Sequence, residues 1–421
     1  MAHTTIELRS EIAGEGSAGA RLAPGPAASP RNPATDLRIA LVHDWCPAFR
    51  GGERVLSAFT RIFGQQDVFT LFDFLPEEIK AEFFPGVRFH TSVADRLPLV
   101  ERYYRALFFA CPFLIEQFDV TDYDAVISSS AAFARGVLTR PDQPHLCYVH
   151  SPVRYAWDEQ FSYLSQGGLG WGPKGLLFRH MLHKLRQWDV RTAHGPDLML
   201  ANSSYIRQRI RRIYGRDADV VFPPVEVDEI PFFAKKDDYY VTASFLAPYK
   251  RTDLVVEAFN AMPQRRLLVV GEGPQLSRLR SMAGPNVEVA GHLPRSRFIA
   301  AMGAAKAMVF AGCEDFGITL AEAQACGTPL VAFARGGACD IVRPLGETDR
   351  PTGLLFPRQT AAAIKDAVEH FETSQRAIAP AACRQNAKRF SVDRFEREIE
   401  DALARTLAMH SGRARASVSS R

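Results

Sequence analysis

The stretch KAMVFAGCEDFGITLAEAQACGTPLVAF, from Lys306 to Phe333, decides the fold class of this chain of 421 residues. An apolar run, KAMVFAG, leads through a loop into a helical segment, and a second apolar run, PLVAF, follows almost at once. Apolar runs separated by helices are typical of parallel strands that helices cover on both faces. The stretch therefore predicts a β-α-β unit, with Glu314 and Glu322 close to the end of its first strand.

The same alternation runs through both halves of the chain. In the front half, LRIALVHDW predicts a strand, GGERVLSAFTRIF a helix, and DAVISSS, HLCYVH and PDLMLANS further strands. After VVFPPVEVDEIPFFAKKDD the pattern restarts with YYVTASF, RRLLVVGEG and NVEVAG. We therefore expect an α/β protein of two doubly wound Rossmann-like domains, over 37–224 and 225–390, facing an interdomain cleft. Ligands of such sheets bind at the carboxyl ends of the strands.

Three shorter segments complete the predicted organisation. Residues 1–36 are rich in Ala, Gly, Pro and Ser and lack the apolar core of a secretory signal, which predicts a disordered leader. Residues 391–409 predict a closing helix, and residues 410–421 a flexible basic tail.

Composition excludes several classes of protein. The 51 basic and 47 acidic residues nearly balance, which argues against a protein that coats nucleic acid. The seven cysteines form no CxxC pair, which indicates a reduced, cytoplasmic protein without a structural metal. The apolar run ALFFACPFLI is half the ~20 residues that a membrane span needs. We expect no transmembrane helix, metal ion or other cofactor.

Two glycine patterns follow predicted strands. Gly51 and Gly52 open a helix, where backbone amides and the positive end of the helix dipole favour an anion. The alternative is a loop that only turns the chain. The second pattern, GEGPQL from Gly271 to Leu276, lacks the third glycine of a dinucleotide fingerprint and predicts a turn.

The two glutamates of the opening stretch have two explanations. Thr319 and Glu322 match a capping box, in which the threonine caps the helix and the glutamate reaches back to it. That role leaves Glu314 unexplained. The helix start favours a phosphate, whereas carboxylates accept hydrogen bonds from vicinal sugar hydroxyls. A nucleotide sugar satisfies both requirements.

Several separated motifs together resemble glycosyltransferase family 4, whose members are retaining enzymes with two Rossmann-like domains (the GT-B fold). The motifs are EDFGITLAEAQACGTP, SFLAPYKRTDLVVEAF, ANSSYIRQRI with VVFPPVEVD, YVHSPVRYAWD and RGGERVL. The resemblance covers roughly residues 37–400. It implies catalytic roles for His150, Lys250 and Glu314. The residues implied in donor binding are Gly51, Gly52, Arg251, Phe316, Gly317 and Glu322.

One position departs from the family pattern. Family members often carry an arginine where this chain has Phe245, so one of two phosphate-binding cations is missing from its usual place. Arg251, directly after Lys250, is the nearest substitute. The alternative is that Arg251 is a solvated residue at the start of a helix. If it substitutes, loss of its side chain lowers kcat.

A second group of candidates belongs to the acceptor side. His150 ends a predicted strand, where a histidine is often only a satisfied polar residue. The residues after it combine aromatic rings with hydrogen-bonding groups, which suits sugar stacking. These acceptor-side candidates are Arg154, Tyr155, Trp157 and Asp158.

The resemblance implies a metal-independent retaining glycosyltransferase. The motif HSPVRYAWD is similar to bacterial polysaccharide and lipopolysaccharide mannosyltransferases, so mannose from GDP-mannose is the first expectation, with a glycan or polyprenyl-linked acceptor in cell-surface polysaccharide synthesis. The alternatives are a nucleotide-sugar-binding protein without transfer activity and a nucleotide-sugar epimerase.

The segment ADRLPLVERYYRALFFACPFLIEQF predicts contact with an anionic membrane, at the inner face of the cytoplasmic membrane. Its arginines and aromatic residues alternate, and the alternative is that the aromatic rings pack in a core. These residues are Arg96, Arg102, Tyr103, Tyr104, Arg105, Phe108 and Phe109.

Overall fold

The computed structural model of the protein describes residues 37–64 and 66–419, so the leader predicted over 1–36 lies outside it. These residues form two compact units. The front unit comprises the described residues up to Glu226 and those from Phe390 onward, and the rear unit comprises Val227–Arg389. No helix of the described residues is long and apolar enough to cross a bilayer.

The front unit is built on a parallel sheet of seven strands in the described part of the chain, in the order β3-β2-β1-β4-β5-β6-β7. The strands are β1 (Ile39–His43), β2 (Asp67–Thr70), β3 (Arg88–Thr91), β4 (Ala125–Ser130), β5 (His145–Val149), β6 (Leu198–Ala201) and β7 (Asp219–Val220). Its helices before the rear unit are α1 (Gly51–Phe63), α2 (Glu77–Phe83), α3 (Cys111–Ile115), α4 (Gln160–Gln166), α5 (Pro173–Thr192) and α6 (Ser204–Tyr214). Every residue of β1, β4 and β5 is buried, which explains their apolar runs.

The rear unit repeats this plan with six parallel strands, again counted over the described residues, in the order β10-β9-β8-β11-β12-β13. The strands are β8 (Tyr240–Ala243), β9 (Leu267–Val270), β10 (Val287–Gly291), β11 (Ala307–Phe310), β12 (Leu330–Phe333) and β13 (Gly353–Phe356). The helices are α7 (Thr252–Asn260), α8 (Leu276–Met282), α9 (Arg295–Ala304), α10 (Ile318–Ala325), α11 (Ala338–Ile341), α12 (Ala361–Ser374) and α13 (Pro380–Ala387).

The last helix, α14 (Val392–Ser419), returns to the front unit. The Phe395 ring lies 5.8 Å from the ring of Phe59 in α1 and 5.9 Å from that of Tyr148 in β5. The helix extends beyond the predicted end at residue 409, because Ala and Arg in the segment SGRARASVS favour helix.

Each sheet reverses its winding direction at one point, between β1 and β4 in the front unit and between β8 and β11 in the rear unit. Both units are therefore doubly wound, which confirms the predicted α/β class. Ligands of such sheets bind where the strand order reverses. The predicted glycine loop follows β1, and the predicted donor-side residues follow β8 and β11, whereas His150 and the acceptor-side candidates follow β5, the strand next to β4.

Candidate functional site

Lys250 and Glu314 meet at the reversal point of the rear sheet. Lys250 ends a short turn after β8, and Glu314 lies in the loop after β11. Their side chains form an ion pair, and Lys250 is only 8% exposed. The Nζ atom also lies 4.8 Å from the centroid of the Tyr249 ring. The structure thus brings together two of the predicted catalytic residues as a neutral pair.

The loop that carries Glu314 is held by close backbone packing. A Cβ atom added at Gly312 would lie 3.0 Å from the carbonyl oxygen of Lys250, and one at Gly337 would collide with the backbone of Phe316. The amide of Gly337 donates to the carbonyl oxygen of Glu314 at 2.9 Å. Glycine at these two positions therefore allows the close approach of the loop to the backbone of Lys250 and Phe316.

The capping box predicted for Thr319 and Glu322 is wrong. Helix α10 begins at Ile318, after Gly317 at φ +97°, and no side chain caps it. Glycine reaches this left-handed conformation without strain, so the helix starts before Thr319. Glu322 belongs to α10, and its side chain is buried and accepts a hydrogen bond of 2.6 Å from Arg295.

Arg295 is a site residue that the sequence analysis missed. It is the first residue of α9 and its side chain is about half exposed, whereas its partner Glu322 is buried. The two lie 27 positions apart, and no local pattern links them. Arg295 compensates the charge of the carboxylate that the resemblance assigns to ribose binding.

Phe245, which departs from the family pattern, and Arg251, its predicted substitute, both lie between β8 and α7. The Phe245 ring is partly exposed. Arg251 adopts φ +53°, which is uncommon for a residue with a side chain, and its Nε lies 3.2 Å from Oδ1 of Asp253. Its predicted role as a substitute cation stays a prediction. The neighbouring turn predicted at GEGPQL is present, since the amide of Leu276 donates to the carbonyl oxygen of Gly273 at 3.1 Å.

The front unit places His150 in a buried network with two groups that sequence analysis did not select. The Nε2 atom of His150 lies 2.7 Å from Oγ of Ser129, and Nδ1 of His43 lies 3.0 Å from the same oxygen. Burial and the neighbouring His43 lower the pKa of His150 to about 3. His150 is therefore neutral at physiological pH. The run of three serines ending β4 is the only local signal for Ser129.

The predicted glycine loop lies beside this network. Gly51 and Gly52 open α1 as predicted, and a Cβ atom added at Gly52 would lie 3.5 Å from Cε1 of His43. The backbone amide of Arg50 donates to Glu53 at 3.0 Å, which ties the start of the helix together. The structure therefore brings the loop and the His43 ring together.

Three of the acceptor-side candidates have fixed partners. Trp157 donates through Nε1 to Asp189 at 2.6 Å, and Asp158 pairs with Arg209. The ring of Tyr155 packs between other aromatic rings, those of Phe108 at 5.9 Å and Tyr163 at 6.0 Å. Arg154 lies next to Ser151, with Nε 3.4 Å from its hydroxyl oxygen.

Glu53 makes the stability of the protein depend on pH. Burial raises the pKa of this carboxyl group to about 7, against an ordinary value of 4.5. The folded protein then holds a proton that the unfolded chain has lost, so the contribution of Glu53 to stability falls as pH rises from about 4.5 to 7. Histidines such as His150 act in the opposite direction over part of this range, because their lowered pKa keeps them neutral in the folded protein. The Glu53 contribution, up to about 3 kcal/mol in the free energy of unfolding, is therefore measured as the difference between the parent and a Glu53 variant, by chemical denaturation at both pH values.

Glu53→Gln is expected to remove this contribution, so its stability relative to the parent should rise by up to about 3 kcal/mol between pH 4.5 and 7. The matched control is Glu78→Gln, which changes an exposed carboxylate on α2 and should leave the profile as it is. A Glu53→Gln protein whose pH profile parallels that of the parent would show that Glu53 does not titrate in this range.

Solved structures that match most of the chain support the fold. Anabaena HepE in complex with UDP matches 87% of this chain and 100% of that structure, with a TM-score of 0.62 and 16% identity. The sucrose-phosphate synthase of Thermosynechococcus elongatus matches 91% of this chain and 99% of its own, with a TM-score of 0.61 and 19% identity. At such identities the likeness concerns the fold alone.

Two family profiles match successive parts of the chain. The profile described as Glycosyltransferase Family 4 matches residues 49–229, and the one described as Glycosyl transferases group 1 matches residues 226–390. The chain has the GT-B fold, and each of its two units matches a glycosyltransferase family profile. In this GT-B chain, the first profile falls on the front unit and the second on the rear unit.

Curated relatives of the GT-B chain share part of its length. The D-inositol 3-phosphate glycosyltransferase of Mycobacteroides abscessus is 29% identical over 41% of this chain and 43% of that protein. The Mycobacterium tuberculosis protein of the same name is 29% identical over 57% of each. The chain thus spans about half the length of the curated relatives it matches.

Proposed function

We propose that the protein is a retaining glycosyltransferase that moves a sugar, first of all mannose from GDP-mannose, to a glycan or polyprenyl-linked acceptor in cell-surface polysaccharide synthesis. The observation that carries the proposal is the Lys250–Glu314 pair at the reversal point of the rear sheet, with Glu314 on the loop that leads into α10. A nucleotide sugar requires a cation and helix amides for its diphosphate and carboxylates for its hydroxyl groups, and these groups lie together there.

In this proposal the rear unit binds the donor. The ammonium of Lys250 and the first amides of α10, after Gly317, neutralise the diphosphate as it leaves. Glu314 accepts hydrogen bonds from the sugar hydroxyls, and Glu322 from those of the ribose. Because these groups supply the positive charge, the proposed reaction requires no metal ion or other cofactor. The departing phosphate takes the proton of the acceptor hydroxyl on the same face, which retains the anomeric configuration.

Thermal denaturation with GDP, UDP and ADP tests the donor. Binding of ligand at about 100 times its Kd stabilises a protein by about 2.7 kcal/mol, so the correct nucleotide raises Tm by several degrees. GDP is the expected one, although HepE is described in complexes with UDP and UDP-glucose. A rise in Tm with UDP alone would show that the donor is a UDP-sugar instead of GDP-mannose. No rise with any nucleotide would overturn the proposal. The anomeric signal of the product in NMR reports retention.

The exposed Phe245 favours a second candidate, a nucleotide-sugar-binding protein without transfer activity, because it stands where the family pattern has a cation. The two functions differ in acceptor dependence. A transferase releases nucleoside diphosphate faster when acceptor is added, whereas a binding protein releases none.

The front unit also carries a surface suited to a membrane, which we define as the exposed apolar side chains of residues 97–113 and 161–177. Of the predicted aromatic residues, Tyr104 and Phe108 are buried, so the alternative of packing in a core is correct for these two rings. Tyr103 and Phe109 are exposed. The most exposed aromatic side chains of this surface are Phe113 at 64%, Phe161 at 73% and Trp171 at 76%.

An aromatic contact connects these two segments. The buried Phe108 ring lies 5.2 Å from the ring of Phe178 on α5, the helix that begins within the second segment. Arg102 and Arg105 are exposed within the first segment, and Arg96 is exposed just before it. Exposed aromatic side chains with interspersed cations are typical of proteins that lie on anionic lipid.

Co-sedimentation with vesicles tests this surface. We expect binding to vesicles that contain phosphatidylglycerol and none to phosphatidylcholine. Each arginine contributes roughly 1 kcal/mol, so changing Arg96, Arg102 and Arg105 to Glu should abolish binding. The matched control changes three exposed arginines of the rear unit, Arg278, Arg297 and Arg376, to Glu. Equal binding to both lipids, or equal loss in the control, would contradict membrane contact.

A further inference from the structure

A groove of about 440 Å³ lies within the front unit, between α5, α6 and the loop after β5. Its lining includes Trp157 and Asp158, two of the predicted acceptor-side residues, together with Arg186, Arg209 and Arg212. Three arginines and one carboxylate therefore share one concave surface. The volume falls within the range of sites that bind small ligands.

Two of the arginines are fixed by their surroundings. Arg209 is 8% exposed, pairs with Asp158 and donates to Oγ of Ser151 at 2.8 Å. Arg186 donates through Nη1 to the carbonyl oxygen of Ala156 at 2.8 Å and to Gln160. Guanidinium groups held in this way lose little freedom when a ligand binds.

The groove carries uncompensated positive charge. Asp158 compensates only one of the three guanidinium groups. Arg212 lies three residues after Arg209, on the same face of α6, and no carboxylate pairs with it among the residues the structure describes. Helix α6 itself contains no acidic residue. The surplus of two charges matches a phosphate dianion, whose oxygens guanidinium groups bind in pairs.

We propose that this groove binds a phosphate group of the acceptor. It adjoins the predicted catalytic histidine, because the Ser151 hydroxyl that Arg209 binds belongs to the residue after His150. The indole of Trp157, held by Asp189, forms part of its wall. The inference rests on the proposed function, since it names the chemistry of the acceptor. The phosphate belongs either to an isoprenyl diphosphate or to a phosphorylated sugar.

Calorimetric titration with inorganic pyrophosphate tests the groove, in the presence of saturating nucleoside diphosphate so that the donor site is occupied. Arg212→Glu is expected to weaken pyrophosphate binding about tenfold or more, the effect of one lost charged hydrogen bond. Arg186→Gln, which keeps an amide donor, should weaken it by a smaller factor. The matched control is Arg211→Glu, which changes an exposed arginine next in sequence that does not line the groove and should leave binding unchanged.

Competition separates the two sources of phosphate. Displacement of pyrophosphate by geranyl diphosphate but not by glucose 6-phosphate identifies a lipid carrier, and the reverse identifies a sugar phosphate. In turnover, Arg212→Glu should raise the KM for the acceptor more than it lowers kcat. Equal pyrophosphate binding by Arg212→Glu and the parent, or equal loss in Arg211→Glu, would overturn the inference.

Failure of the proposed function has a different signature. If no nucleoside diphosphate binds, the titration is run without one, and the difference between Arg212→Glu and Arg211→Glu still reports the groove.

Discussion

Lys250→Met is expected to lower kcat by about a hundredfold or more, since loss of one such charge-stabilising donor costs about 2.7–4 kcal/mol in comparable sites. The variant removes the ammonium that meets the leaving diphosphate and leaves Glu314 without its ion-pair partner. Donor turnover measured at saturating donor and acceptor gives kcat directly. Because the charge develops as the glycosidic bond breaks, kcat should fall by more than the affinity for the nucleoside diphosphate.

A second, half-buried lysine provides the matched control. Lys236, also in the rear unit, donates to the carbonyl oxygen of Gly303 at 2.6 Å and to Thr328, and burial lowers its pKa to about 8. Lys236→Met should lower Tm but leave kcat of the folded protein unchanged. A Lys250→Met protein with the parent kcat would remove Lys250 from the proposed catalytic residues.

Asp189→Asn is expected to reduce the free energy of unfolding by about 3–5 kcal/mol, the cost of leaving one charge of a buried pair without its partner. Asp189 pairs with Arg135, and both side chains are fully buried in the front unit. The carboxylate also accepts hydrogen bonds from Trp157 at 2.6 Å and Tyr214 at 3.1 Å. Chemical denaturation monitored by circular dichroism measures the change.

The double variant Arg135→Met with Asp189→Asn should regain much of this stability, because no unpaired charge then remains buried. A loss of less than about 1 kcal/mol in the single variant, as for an exposed pair, would show that water reaches the pair. The result also bears on the acceptor groove, since Asp189 holds the indole of Trp157.

The fold could be predicted where burial leaves a local signal. Strands β1, β4 and β5 are buried on both faces, so their apolar runs stand out in the sequence. Strand β3 forms the edge of its sheet and is exposed at alternate positions, and β7 has two residues. Strand β3 carries no continuous apolar run, and the sequence analysis did not find it. It also missed β2, whose buried run is only four residues long.

The candidate site could be predicted only in part. The resemblance selected Lys250 and Glu314, 64 positions apart, and the structure brings them into contact. Arg295 beside Glu322, and Ser129 between His43 and His150, escaped because such contacts depend on how distant strands and helices pack.

The sequence analysis could not tell which aromatic rings of this surface are exposed and which are buried, and the reason is physical. Residues Tyr104–Phe109 form an irregular 3₁₀ turn, which has neither the period of an α-helix nor that of a strand. No periodicity therefore tells which rings face inward. Packing against α5 buries Phe108 and leaves Phe109 exposed.

The position of α14 bears on the order in which the protein matures during synthesis. Phe395, Ile399 and Leu403 of this helix complete the core around β1 and β5. The ribosome makes residues 227–389, which contain every strand of the rear sheet, before it makes α14. The nascent rear unit can therefore fold while the front unit still exposes the apolar surface that α14 covers. The half of the chain that is translated first is consequently the half that finishes folding last.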